Sequence, residues 1–346
     1  MDLLRPVYKW LLIGCLLIAI MVIIGGVTRL TESGLSITEW NIVSGTLPPF
    51  TDTKWQVEFN KYKSTPEFQI VNSEMTLSEF KSIYFWEYFH RLWGRMLGLA
   101  FLVPFYYFWR KGFLSDKWLL RRCFVILLGG AAVGGLGWFM VMSGLKNRTD
   151  VSHYRLAIHL VAAFTLYSYI LWTALDLRYD RRKNTNSSFD VVKKLGIWLF
   201  AAVYFQIIYG AFTAGLNAGT IYNTWPLMNG EFMPSNVTAM DGFFENFTNH
   251  KDGVQFVHRW FAFIVMGLVV YIWWEMRGMK VSLTQGRSII YLLIATALQF
   301  TLGVCTLLFS KGYVPVWLGV LHQIGALVLL TAVVYFNHRV RKAFVA

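Results

Sequence analysis

Eight apolar runs, each close to the roughly 20 residues that a helix needs to cross a bilayer, limit what this chain can become. They fall approximately at residues 10–28, 83–109, 122–143, 154–175, 195–215, 254–275, 288–309 and 316–337. Only 15% of the 346 residues are charged, while 56% are hydrophobic and 17% aromatic; a soluble domain carries about a quarter charged residues. The expected class is an all-α integral membrane protein with eight transmembrane helices.

The net charge of +13 is distributed as in a membrane protein, and it excludes nucleic acid as a partner. Arg110, Lys111, Lys117, Arg121 and Arg122 fill one short loop, and Arg178, Arg181, Arg182, Lys183, Lys193 and Lys194 a second. Arg277, Lys280 and Arg287 fill a third, and Arg339, Arg341 and Lys342 end the chain. The positive-inside bias puts these loops and both termini in the cytoplasm, with 29–82 and 216–253 outside. The N-terminus runs almost directly into the first apolar run without a cleavage site, which fits a retained signal anchor in a bacterial cytoplasmic (inner) membrane. Cys15, Cys123 and Cys305 form no Cys-x-x-Cys motif or disulfide framework.

The chain repeats itself. Gly25, Thr28, Gly34, Trp40 and Pro49 match Gly210, Thr213, Gly219, Trp225 and Pro234 at a constant offset of 185, and Leu136-Gly137 answers Leu302-Gly303. Four spans per repeat give both halves the same orientation. The expected architecture is two parallel four-helix bundles, residues 1–180 and 181–346, related by a pseudo-twofold axis along the membrane normal. In the first outer segment, Ser64-Thr65-Pro66-Glu67 and Thr76-Leu77-Ser78-Glu79 have the form of capping boxes, and Thr76 is expected to start a helix that continues into the second span. Residues 53–63 read either as a helix lying on the membrane surface or as a packed lid.

Four histidines follow the repeat. His90 and His159 are 69 residues apart, and His258 and His322 are 64 apart. Each is expected one or two turns inside the outer end of its helix. Ionisable residues inside a membrane are costly and mark functional sites. Zinc sites gather three or four ligands around one ion. Two histidines per half, on different helices amid many aromatic side chains, suit a bis-histidine haem better. No haem-attachment motif occurs, so the haem is not covalently bound. Arg91, Arg155 and Arg259 lie beside these histidines and read as partners of haem propionates, or as ordinary snorkelling cations. His153, His250 and His338 read as solvated. Glu87 lies at i, i−3 from His90 and shares its helix face, whereas the second half has Gln255 in its place. Glu87 is therefore the candidate catalytic group, with orientation of the histidine as the alternative role.

These blocks resemble the haem A synthase family: Gly25-Gly26-Val27-Thr28-Arg29-Leu30-Thr31, Ser33-Gly34-Leu35-Ser36, Glu87-Tyr88-Phe89-His90-Arg91, Gly94-Arg95, Leu136-Gly137-Trp138-Phe139-Met140-Val141, Ser143-Gly144-Leu145, His258-Arg259 and His322-Gln323. The resemblance spans essentially the whole chain. It implies oxidation of the C8 methyl of haem O to a formyl group by successive hydroxylations, which makes haem A for terminal oxidases. It also implies a substrate half with His90, His159 and the catalytic carboxylate Glu87, and a cofactor half whose His258 and His322 ligate haem b. Membrane lipid, a haem O synthase, oxidase assembly factors and a second copy of the chain are the implied partners. Residues 29–82 contain no Cys, so the chain resembles the cysteine-free branch, which includes alphaproteobacterial and mitochondrial members.

Two other functions compete. A two-haem cytochrome b that only transfers electrons explains the histidines but not the Glu87/Gln255 difference. A transporter explains parallel repeats but requires interrupted helices at the midplane, and Pro104 is the only clear interior proline, without a partner in the second half.

Overall fold

The computed structural model describes residues 4–40, 47–145, 148–179, 184 and 186–342. Its helices are α1 (Arg5–Leu30), α2 (Asp52–Lys63), α3 (Pro66–Ile70), α4 (Leu77–Arg110), α5 (Lys117–Val141), α6 (His153–Arg178), α7 (Asp190–Gly215), α8 (Phe243–Thr248), α9 (Lys251–Met276), α10 (Leu283–Phe309) and α11 (Val316–Arg341). The boundary expected at 180/181 lies outside the described residues.

Among these, seven helices are long and apolar enough to cross a membrane: α1, α5, α6, α7, α9, α10 and α11. Large apolar side chains face outward along them, including Leu128, Ile264 and Ile294. Such faces are stable only against lipid or a partner. The second expected span, α4, is not among the seven. Glu87, His90, Arg91 and Arg95 stand within about three turns of one another on it and lower its hydropathy.

At 34 residues, α4 is about 51 Å long at 1.5 Å per residue, well beyond a hydrocarbon core of about 30 Å. The excess lies at its N-terminal end. There Thr76 accepts from the Glu79 N–H while the Glu79 carboxylate accepts from the Thr76 N–H, the reciprocal cap expected from the sequence. The other capping box does not form. Thr65, not Ser64, starts α3 and accepts from the Phe68 N–H at 3.3 Å. Glu67 turns inward and accepts from the Tyr62 hydroxyl at 3.1 Å.

Helix α2 packs on α4. Phe59 and Tyr62 bury themselves on Phe80, with ring centres 5.0 and 5.3 Å from it, and Trp55 packs on Tyr84 at 5.0 Å. Each fully buried aromatic contributes roughly 1.5–3 kcal/mol, enough to hold α2 and α3 against the projecting end of α4.

The long helices pack as two rings of four. In the first, α1 packs on α4, α4 on α5, α5 on α6, and α6 back on α1; in the second, α7, α9, α10 and α11 do the same. The rings meet through α1 with α11, α6 with α7, and α6 with α11. At the end of this seam where α6 and α11 finish, the buried Asp176 of α6 draws in Arg122 of α5 at 3.4 Å, His338 of α11 at 3.1 Å and Lys342 at 3.1 Å. His338 is fully buried, so its reading as solvated is corrected: a carboxylate this deep requires donors around it. His153 is also buried, with Nε2 2.9 Å from the Thr248 carbonyl. His250 is half-buried beside Asp252 at 3.5 Å.

Candidate functional site

His90 stands on α4, His159 on α6, His258 on α9 and His322 on α11. Within each ring the two histidine-bearing helices are not neighbours in sequence, and both pack on the remaining two. The imidazoles therefore enter from opposite corners. His159 and His322 are the seventh residues of their helices and His258 is the eighth, so all three lie about 9–11 Å below a helix start. His90 lies deeper in its helix only because α4 projects beyond the others.

The rings of His258 and His322 have centres 6.3 Å apart and planes at 90°. A typical metal–imidazole bond is about 2.0–2.1 Å, and the ring nitrogen lies about 1.1 Å from the ring centre. Two such rings on opposite sides of one iron would have centres about 6.3 Å apart, which matches the observed separation. Among the described residues no cluster of three or more His, Cys, Asp or Glu forms a polydentate metal site.

Next to the histidines the halves differ. The carboxylate of Glu87, 3% exposed, is held by three donors. Ser36 Oγ and the Ile37 N–H donate to Oε2, each at 2.8 Å, and Arg91 donates to Oε1 at 2.6 Å. Arg91 also donates to the Ile37 and Glu39 carbonyls at 2.9 and 2.7 Å and stacks over Trp40. In the second half Arg259 donates to the Tyr222 carbonyl at 2.9 Å, and Gln255 Nε2 lies 3.4 Å from the same oxygen. Tyr222 is the offset-185 counterpart of Ile37, so both arginines hold the same loop carbonyl. Among the described residues, Arg91 has a carboxylate partner and Arg259 has none. Arg259 is 8% exposed, and its Nε and one terminal nitrogen are buried without a partner, as is Gln255 Oε1. Arg155, in the first turn of α6, donates to the Phe139 carbonyl near the end of α5 at 2.8 Å and covers that ring.

The cytochrome oxidase assembly protein family, COX15-CtaA, matches residues 8–334. Proteins named heme A synthase are similar over nearly the whole chain. The one from Flavobacterium psychrophilum is 48% identical, covering 98% of this chain and 99% of its own. Those from Parvibaculum lavamentivorans and Nitrosospira multiformis are 45% and 43% identical, covering 96% and 98% of this chain and 94% of each of theirs. The chain belongs to the haem A synthase family.

For a member of that family, the spacing of His258 and His322 fits a haem iron, and the unpaired buried nitrogens of Arg259 fit the carboxylate of a propionate. Arg91 already donates to Glu87 and to two carbonyls. Arg155 holds a helix end. Sequence reasoning missed Ser36, which contributes a hydroxyl to Glu87. It also missed Gln206 of α7, whose Nε2 donates to the His258 carbonyl at 2.8 Å and lies 3.2 Å from His258 Nδ1. A polar residue in an apolar helix, opposite Met21 at offset 185, was the available signal for Gln206.

Proposed function

We propose that the chain is a haem A synthase that oxidises the C8 methyl of haem O to a formyl group by successive hydroxylations, yielding haem A for terminal oxidases. One observation carries the division of labour: a buried carboxylate, Glu87, stands three residues before His90 on α4, and a buried amide, Gln255, stands three residues before His258 on α9.

The first half is the substrate half, and His90 and His159 are where haem O is seated. Conversion of methyl to formyl builds positive character on the methyl carbon and releases protons. Glu87 is the group that answers the developing charge, because its own charge is fixed in place before reaction by Ser36, Ile37 and Arg91. Those three donors occupy most of its lone pairs, so its main contribution is electrostatic and proton acceptance is secondary.

The second half is the cofactor half. A haem b bound there supplies one-electron chemistry. His258 and His322 would hold its iron and Arg259 a propionate. Replacing the carboxylate by Gln255 leaves Arg259 free for that anion.

The α4 helix is the eighth span, shielded from lipid along its ionisable face by α1 and α5. The two rings of four helices, 1–180 and 181–346, are parallel repeats. The supporting points are the matching neighbour pattern of the rings and the matching arginine–carbonyl bonds at Ile37 and Tyr222. Positive-inside bias puts both termini in the cytoplasm of a bacterial inner membrane and the haem sites toward the outer side. Exchange with a haem O synthase and with oxidase assembly factors follows from where substrate and product travel.

Extraction and chromatography of the haems from purified protein tests the reading. Haem O or haem A beside haem b is the expected result. Haem b alone, after expression with a haem O synthase, would favour a two-haem electron carrier.

A further inference from the structure

Each of the four histidines rests on a glycine of a neighbouring helix. A Cβ added at Gly25 of α1 would lie 3.2 Å from His90 Cε1, and one at Gly210 of α7 would lie 3.2 Å from His258 Cε1. A Cβ at Gly137 of α5 would lie 3.0 Å from His159 Cε1, and one at Gly303 of α10 would lie 3.0 Å from His322 Cε1. The same ring atom meets the same kind of floor at almost the same distance four times. Other glycines in the long helices differ: Gly26, Gly129, Gly196 and Gly325 meet Gln323, Leu166, Asn337 and Gln299, Gly215 meets His153 at its Cβ rather than its ring, and Gly14, Gly98, Gly130, Gly134, Gly135 and Gly267 have nothing within 4 Å of such a Cβ.

A glycine inside a helix costs roughly 0.5–1 kcal/mol relative to alanine, so four at matching positions call for a compensating use. We propose that Gly25, Gly137, Gly210 and Gly303 are positioning residues, each seating one imidazole against a helix backbone so that its ring nitrogen points to where an iron binds. Cε1 lies between the two ring nitrogens, so a contact at Cε1 limits swing in both directions. A methyl group at the glycine must push the ring by a few tenths of an ångström, or turn it about its side-chain bonds. Either change moves the ligating nitrogen and rotates the ring plane. In the second half the ring planes stand at 90°, an orientation that strongly affects the electronic state of a bis-imidazole iron. The inference rests on the two-haem reading above.

The test uses the full-length protein with Gly210→Ala, Gly303→Ala, Gly25→Ala and Gly137→Ala, and Gly267→Ala as the open-space control. Bound low-spin haem is read by visible spectra and ferric EPR, and haem O binding by titration with haem O itself. Gly210→Ala and Gly303→Ala should lose the resident low-spin signal or shift its EPR positions. Gly25→Ala and Gly137→Ala should keep that signal and bind haem O at least tenfold more weakly. Gly267→Ala should match the wild type in both. If Gly210→Ala fails to accumulate, Gly303→Ala and the contrast with the first-half variants still decide the matter. The inference is overturned if all four variants behave as Gly267→Ala does, or if Gly25→Ala removes the resident haem as completely as Gly210→Ala. Wild-type protein without any low-spin haem would defeat the two-haem reading instead.

Discussion

Replacing Glu87 by Gln separates the charge of this residue from its shape. The carboxylate accepts from Arg91 at 2.6 Å and from Ser36 and Ile37 at 2.8 Å. An amide offers one oxygen in place of two, so it retains at most two of these donors. Loss of one hydrogen bond to a charged group costs about 1.5–3 kcal/mol. Arg91 keeps the Ile37 and Glu39 carbonyls, and the fold already tolerates this arrangement, since Gln255 and Arg259 are both buried in the second half. Glu87→Gln should therefore fold, bind its haems and lose little expression. The chemical step should fall far more, because a fixed anion beside a developing positive centre typically contributes about 10²–10³ in rate, or about 2.7–4 kcal/mol. The assay is haem chromatography of membranes in which the variant and a haem O synthase are expressed together. Haem O or its hydroxylated intermediate should accumulate at normal protein level. Haem A at wild-type yield would reduce Glu87 to a structural anchor of the outer loop and refute the electrostatic argument.

Three further outcomes are expected. Arg259→Met should weaken retention of the resident haem at least tenfold on dilution in detergent while leaving His258 and His322 in place; unchanged retention would remove Arg259 from the propionate site. Burial of Glu67 pushes its carboxyl up to about 8, with Tyr62 partly opposing the rise and Glu87, Glu32 and Asp150 adding to it. Because the folded value is raised, the stabilisation is full below the ordinary carboxylate range and is lost as pH climbs through about 8. Hydrogen-exchange protection over residues 52–70, corrected for the intrinsic pH dependence of exchange, should fall between about pH 5 and about pH 8, and Glu67→Gln should flatten that dependence. A tag near residue 60 should be reached from outside the cell and one at residue 184 only from the cytoplasm; both on one side would undo the placement of the haem sites.

Periodic and local signals made much of this legible. Seven of the expected spans could be read because hydropathy reports composition directly, and the Thr76 cap because its partner is three residues away. α4 matched its expected limits although its hydropathy is low, since the cap and the basic loop after Arg110 mark both ends. Side-chain partners were harder. Nothing in the order of residues says that Ser36 reaches Glu87 across 51 positions, or that His338 folds onto Asp176 across 162. Such pairs depend on which helix faces which. Arg91 is a further case: adjacency to His90 pointed to a propionate, while its bond one turn back to Glu87 depends on which way the side chain lies along the helix.

The seam between the halves has a consequence of its own. Exchanging the halves turns α1 with α11 into α7 with α6, and leaves α6 with α11 unchanged. On the twofold arrangement proposed above, this is the self-complementary patch of an isologous dimer. A single four-helix chain would carry everything needed to pair with its own copy, but its two haem pockets would then be identical, and any carboxylate in one would stand in both. Joining the copies into one chain removes that constraint. One pocket keeps its acid while the other gives it up, so a symmetric pair becomes a machine with distinct ends.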